Sequence, residues 1–373
     1  YKDSKANQNL KGLLYDNGHQ FKDSRHMSFD LTIKQNMDFL LDGLYLEATG
    51  SYYSATSYLT TRSKEFAAYL YKEDGSYQQV GEDKDQGNSG NKDQRYRITF
   101  LKGAVGYDHS FGKHRVAALF VADLNQIQDQ NVQKGYLRNY TNYSGRMNYN
   151  YDDRYFLEGS FRRDGSSRFR SGHQYGAFPS ASIGWNINRE KFFKPLENVF
   201  DQLKLRFSYG KLGNQEMTSY YPTQSVVSDG MNYVMNNSPW FGSMPYVQAI
   251  SPANLTWENT ETYNIGLDVS LLNGRLTLTA DAYVKNTNDV LLPIPSTAST
   301  GISGNSIQNA GQVRNKGFEL AVNYRGAIKE KFNYYIGANI AADKNEVTKI
   351  TLGGQNLMIS GYSAHGAGGR GIN

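Results

Sequence analysis

The sequence contains no cysteine, so disulfide staples are excluded. The absence suits an oxidising compartment, where stray thiols are a liability. No apolar run approaches the ~20 residues that a membrane-spanning helix needs, and the mean hydropathy is −0.64. Charge of one sign is also missing: 40 basic residues against 35 acidic ones leave +5, spread too evenly to carry functional weight. One dense cluster, Arg162, Arg163, Arg168 and Arg170, reads as a solvated loop rather than a nucleic-acid patch, because no DNA- or RNA-binding motif accompanies it. No signal peptide opens the chain, as expected of a mature or trimmed polypeptide.

Catalytic and metal-binding constellations are missing as well. None of the six histidines forms a metal-ligand motif such as H-E-x-x-H. Glu82, Asp83 and Asp85 before Gly87 resemble a fragment of a calcium loop whose later ligands are absent. Gly366, Gly368, Gly369 and Gly371 fit G-x-G-x-x-G but lack the flanking strand and helix of a dinucleotide site. Glu258 and Glu261, without a third catalytic group, read as a rim salt bridge; Ser166 and Ser167 lack a histidine base. The expectation is therefore a protein that is not an enzyme and uses no metal or cofactor.

What the chain does have is aromatic residues: 29 Tyr and 18 Phe, far too many for a disordered polar chain. A transmembrane β-barrel reconciles them with the low hydropathy, since only alternate residues face lipid and aromatics girdle the interfaces. Period-2 alternation supports this reading. Tyr143, Gly145, Met147, Tyr149 and Tyr151 oppose Asn142, Ser144, Arg146, Asn148 and Asn150; Leu276, Leu278, Ala280, Ala282 and Val284 oppose Arg275, Thr277, Thr279, Asp281 and Lys285. Leu157, Phe161, Leu267, Leu278 and Ala280 are expected to face lipid. Arg146, Glu158, Arg162, Asp268 and Asp281 are expected to line the lumen. Only 116–122 is apolar on both faces, as a strand backed by buried protein would be.

Twelve strands follow from the pattern: 26–36, 44–60, 95–110, 114–126, 139–151, 154–164, 178–188, 202–211, 260–271, 275–286, 311–325 and 332–343. Short links (37–43, 111–113, 152–153, 272–274, 326–331, and a longer one at 189–201) alternate with long ones near 61–94, 127–138, 165–177, 212–259 and 287–310. Residues 344–373 are expected to be a Gly-rich loop. Such asymmetry fits a meander with a periplasmic and an exterior rim. Asn273-Gly274 predicts a type I′ hairpin, and Gly112 serves the turn from Phe111 to His114. Tyr149, Tyr151, Tyr155, Phe156, Phe111, Phe332, Tyr334 and Tyr335 crowd the short-turn rim like an interfacial belt. Residues 189–201, with Lys191, Phe192, Phe193 and Pro195, read as a short helix or turn at the inner interface. In loop 212–259, Tyr220, Tyr221, Tyr233, Trp240, Phe241 and Tyr246 are candidates for contact with substrate, by stacking on sugar rings or gripping peptides; the same rings can instead pack the loop.

Five segments carry a family resemblance. GRMNYNYDDRYFLEGSFRRDGSSRF (145–169), FPSASIGWNINREKFF (178–193), LKLRFSYGKLGNQ (203–215), NLTWENTETYNIGLDVSLLNGRLTLTADAYVKNTNDVLL (254–292) and NAGQVRNKGFEL (309–320) resemble the SusC/RagA family of TonB-dependent outer-membrane transporters. The resemblance implies energised import of an oligosaccharide or peptide substrate across a Gram-negative outer membrane, with lipid around the barrel and no nucleic-acid partner. It further implies a SusD-like surface lipoprotein as lid and a TonB-ExbB-ExbD complex acting through a plug that this chain does not contain. The fold class expected is all-β, an antiparallel up-and-down transmembrane β-barrel, partial, with about 12 strands of the ~22 in such transporters. A passive porin, a soluble all-β adhesin or carbohydrate-binding module, and a barrel-scaffolded enzyme are the rival readings.

Overall fold

Long runs of alternating side chains leave their backbone amides and carbonyls to be satisfied by neighbouring strands, and here the neighbours are mostly next in sequence. A computed structural model describes residues 14–15, 18–130, 136–217, 222–234, 241–249, 252, 254–296, 302, 304–328, 332–352 and 355–356. The strands are β1 (Gly18–Asn36), β2 (Leu44–Glu65), β3 (Ala68–Tyr71), β4 (Tyr77–Val80), β5 (Lys84–Phe111), β6 (His114–Asp129), β7 (Tyr136–Tyr151), β8 (Tyr155–Ser166) and β9 (Tyr175–Asn186). After 3-10 turns at Ile187–Arg189 and Lys191–Leu196 come β10 (Phe200–Asn214), β11 (Val226–Val234), β12 (Phe241–Ala249), β13 (Glu258–Leu271), β14 (Leu276–Pro295), β15 (Asn305–Ile328), β16 (Phe332–Leu352) and β17 (Gln355–Asn356).

Thirteen of these form one sheet in the order β1-β2-β5-β6-β7-β8-β9-β10-β13-β14-β15-β16-β17, while β3–β4 and β11–β12 form separate hairpins. All twelve expected strands are present in the expected order. The order is open: no ladder joins β1 to β16 or β17 among the described residues.

Strands run further than alternation indicated. β5 begins at Lys84, β14 and β15 stay paired out to Pro295 and Asn305, and β16 continues to Leu352. Much of the expected loops at 61–94 and 287–310, and the start of the one at 344–373, is therefore ladder. Residues 357–373 lie outside the described part.

Neighbouring short turns are stitched together by hydrogen bonds: Asp152 N donates to Lys113 O (2.7 Å), Asn186 N to Arg154 O (2.8 Å) and Arg325 N to Arg275 O (2.8 Å). They therefore share one end of the sheet. Gly112 has φ +58°, as the tight Phe111-to-His114 turn requires. The β13–β14 turn differs from the expected two-residue hairpin. Leu271 pairs with Leu276, and Leu272, Asn273 and Gly274 all adopt positive φ (61°, 58° and 75°), so the loop has four residues. The Asp201 carboxylate accepts the Gly274 amide at 2.8 Å and fixes that form.

The chain divides into two compact units: Tyr1–Thr32 with Thr49–Leu101 and Asn125–Asn139, and Ile33–Ala48 with Lys102–Leu124 and Tyr140–Asn373. In the first, cross-strand hydroxyl contacts such as Ser24–Ser57 (3.2 Å) and Thr32–Thr49 (3.1 Å), with His26 bonded to Tyr53 (2.9 Å), hold β1 to β2. Among the described residues eight apolar side chains are buried, all in the second unit. Phe169, Phe178, Leu255 and Trp257 form a buried cluster there, with Met217, Leu291 and Ile307 against it. The expectation that 116–122 is backed by protein is not met within this chain, since none of the seven residues is buried and Phe120 is exposed.

Candidate functional site

Residues paired across antiparallel strands point to the same side of a sheet, so register assigns the faces. Tyr149↔Leu157↔Ile183↔Phe207↔Ile265 runs across five strands on one side. Leu267↔Ala280 and Val269↔Leu278 continue it, and Phe161 belongs to it through Gly145 and Pro179. Leu157, Phe161, Ile183, Phe207 and Ile265 are all exposed. A contiguous apolar face of this extent is foreign to the surface of a soluble monomer.

The opposite face is charged. Asn148↔Glu158↔Ser182↔Ser208↔Asn264 is its matching row. Arg146 Nη2 meets Glu158 Oε2 at 3.0 Å. Arg206 Nε and Nη2 reach Asp268 (2.7 and 3.1 Å) and Nη2 also reaches Asp281 (3.1 Å), whose other oxygen accepts Asn264 Nδ2 at 3.0 Å. Gly266, between Arg206 and Asp281 in register, leaves room for this: a Cβ there would stand 2.6 Å from the guanidinium and the carboxylate. Arg146, Glu158, Lys204, Arg206, Ser208 and Asn264 help to line a concavity of about 570 Å³. Chemically it is a wall of compensated charges and hydroxyls, suited to polar contact and solvation rather than to bond making.

Of the expected lumen residues, the structure joins Arg146 to Glu158, and Asp268 to Asp281 through Arg206. Arg162, on the same face, is held instead by Asp164 at 2.6 Å. Arg206 escaped the sequence reading; its place between Lys204 and Ser208 on a polar row was the available signal, but its two acidic partners lie 62 and 75 residues away. Tyr220, Tyr221 and Trp240 lie outside the described residues. Tyr233 belongs to β11, and Phe241 and Tyr246 to β12, a hairpin in which Tyr233 pairs with Gly242, Phe241 with Val234 and Tyr246 with Ser228.

At the end of the sheet away from the short turns, Phe178, paired with Arg162 across β8 and β9, joins the buried aromatic cluster. Phe178 lies edge-on to Trp257 (5.6 Å) and Phe169 is tilted against it (5.3 Å), while Trp257 Nε1 donates to Gln174 O at 3.1 Å. Of the arginine cluster read as a solvated loop, Arg162, Arg163 and Arg170 are exposed as expected, but Arg168 is buried. Arg168, its side chain 3% exposed, donates to the carbonyls of Gln215 and Met217 at 2.9 Å each. Arg170 donates to Thr223 O, and Arg163 lies over the Tyr175 ring. The carbonyls that Arg168 and Arg170 meet lie 47 to 53 residues away in sequence, and a local pattern cannot foresee that.

At the short-turn end, Glu190 accepts the Tyr155 hydroxyl (2.6 Å) and Trp185 Nε1 (3.2 Å), with Arg154 at 3.7 Å. The Tyr155 hydroxyl, then the indole, then the guanidinium hold its carboxyl below the usual glutamate range. Glu258 and Glu261 serve separately: Glu258 accepts Leu291 N at 3.2 Å and Glu261 lies 3.7 Å from Lys211.

The family model described as TonB dependent receptor-like, beta-barrel matches residues 2–367. Over 214 residues, 57% of this chain and 21% of the relative, the sequence is 36% identical to the TonB-dependent receptor SusC of Bacteroides thetaiotaomicron. It is 29% identical over 294 residues to TonB-dependent receptor P3 of Formosa agariphila, covering 72% of this chain and 29% of the relative. The chain thus matches less than a third of the length of either. The RagAB peptide transporter structure superposes with a TM-score of 0.69 at 21% identity, over 92% of this chain and 39% of that one.

Proposed function

The chain belongs to the TonB-dependent receptor β-barrel family of Gram-negative outer membranes, and on that premise we propose that it is barrel wall of an energised importer of glycans or peptides. The observation that carries this reading is the two-faced sheet, with an exposed apolar row on one side and ion-paired Arg146–Glu158 and Asp268–Arg206–Asp281 on the other. Leu157, Phe161, Leu267, Leu278 and Ala280 then meet lipid, since strands that cross a bilayer must place apolar side chains outward. Arg146, Glu158, Arg162, Asp268 and Asp281 line the passage, and the short-turn rim is periplasmic. Tyr220, Tyr221, Tyr233, Trp240, Phe241 and Tyr246 are the candidates for stacking on a sugar or peptide. In the complete protein, a plug in the passage couples it to TonB-ExbB-ExbD, and a SusD-like lipoprotein covers the mouth. Open edges in hydrocarbon would strand unpaired backbone groups at several kcal/mol each, so further strands complete the wall.

Uptake by cells displaying the full-length protein tests this. Labelled oligosaccharides or peptides above porin size should enter only while the TonB complex is intact. Uptake that persists after its removal would make the barrel a passive pore.

A further inference from the structure

The apolar face does not end where the strands do. Near the short turns it carries an open furrow of about 480 Å³, lined chiefly by Leu157, Ile183, Leu205 and Phe207 and closed at one end by Tyr155 and Trp185. Register puts Tyr155 beside Trp185 and Trp185 beside Leu205, so the two rings cap the furrow side by side. Their polar atoms turn away from it, both onto Glu190. The indole also meets Phe192 edge-on at 6.4 Å, which carries the apolar surface into the segment after β9. There Phe192 is 66% exposed, and Leu196 and Val199 are exposed as well.

That segment is also basic. Arg189 and Lys191 flank Glu190, and Lys194 follows one turn later; all three are exposed and none forms an ion pair among the described residues. The acids close in sequence are Glu190, already held by Tyr155, Trp185 and Arg154, and Glu197. Apolar side chains that lead off a lipid-facing surface, beside unpaired cations and ring polar atoms at the boundary, have the layout of an interfacial anchor.

We propose that this corner binds one anionic phospholipid, with an acyl chain in the Leu157–Ile183–Leu205–Phe207 furrow and the phosphate headgroup against Lys191 and Lys194. Tyr155 and Trp185 stand between the two, where amphipathic rings are stable. The inference rests on the reading that the apolar face lies in lipid.

The test reconstitutes the full-length protein into phosphatidylcholine vesicles containing a small fraction of phosphatidylglycerol, with brominated acyl chains on one lipid or the other. Quenching of Trp185 is taken as the difference from the Trp185→Phe protein. Brominated phosphatidylglycerol should quench it at a mole fraction lower by on the order of tenfold than brominated phosphatidylcholine, the enrichment expected of two basic side chains at an anionic surface. Lys191→Glu with Lys194→Glu should erase the difference while leaving quenching by the phosphatidylcholine form at its native level, which shows that the variant is folded and inserted. Equal quenching of the native protein by both lipids, or selectivity that survives the double substitution, overturns the headgroup site. Quenching by neither removes Trp185 from the membrane and sinks the lipid-face reading itself.

Discussion

Leu278 and Thr279 are neighbours in β14, yet Leu278 pairs with Val269 and Val322 while Thr279 pairs with Asp268 and Ala321. An arginine on the lipid face near midplane costs about 2–4 kcal/mol. Leu278→Arg is therefore expected to impair assembly and Thr279→Arg to be tolerated, as read by heat-modifiable gel migration; equal tolerance contradicts the faces assigned here. Arg206 acts on a pair of carboxylates at once. Arg206→Ala leaves Asp268 and Asp281 uncompensated on a partly exposed wall, a loss of roughly 1–3 kcal/mol. Adding Asp268→Asn and Asp281→Asn should recover part of it in denaturant titrations, and no recovery would mean that the arginine acts through packing alone. Glu190 supplies a pH dependence. Its carboxyl titrates below the usual value in the folded protein, so its contribution is complete above the unfolded glutamate value of about 4.3. It is lost as pH falls through the depressed folded value. Trp185 fluorescence should show that step below the ordinary glutamate range, and Glu190→Gln should abolish it.

Among the elements, the outer ends of the strands depend on packing that the membrane does not supply. Phe169, Phe178, Leu255 and Trp257 are buried there, and the arm from Gln215 to Trp257 is held at both feet. Arg168 clasps one foot. At the other, Thr256 N donates to Asn309 Oδ1 (2.9 Å) and Asn309 Nδ2 returns a bond to Thr256 O (2.8 Å). Trp257→Ala is expected to cost about 3–5 kcal/mol, like other large-to-small changes, and to expose the 215–257 arm to limited proteolysis. An arm as resistant as in the native protein would show that the cluster does not hold it. Gly213 belongs to the same construction, because a Cβ there would stand 2.0 Å from the Phe178 ring. Gly213→Ala should weaken the arm, and Phe178→Leu in the same chain should restore part of the loss.

For the molecule as a whole, the decisive fact is an open strand order, β1 at one end and β17 at the other. Among the described residues β1 has a single neighbour, β2, and its Met27, Phe29, Leu31 and Ile33 are exposed on one face. In lipid such an edge needs a partner strand. Residues 1–373 expressed alone are therefore expected to give no heat-modifiable barrel in lipid or detergent, whereas the full-length protein should. A stable, heat-modifiable product from the short chain would mean that it closes on itself, and the passage would then be too narrow for a plug.

The sequence by itself determined the twelve strands, their order and their two faces, because a strand between lipid and a wet interior must alternate residue by residue. It missed the extensions at 84–94, 305–310 and 344–352, where the apolar alternation that marks a membrane-crossing strand leaves no period to read. It also placed Arg146, Glu158, Asp268 and Asp281 on the charged side through local pattern alone. Their partners were decided only by the tertiary structure. Arg206 meets acids 62 and 75 residues away, and Arg168 meets carbonyls 47 and 49 away, contacts set by strand register and loop return rather than by spacing along the chain. The same holds for Leu272, which adopts φ +61° against its own preference, in a turn that Asp201 of the adjacent strand fixes.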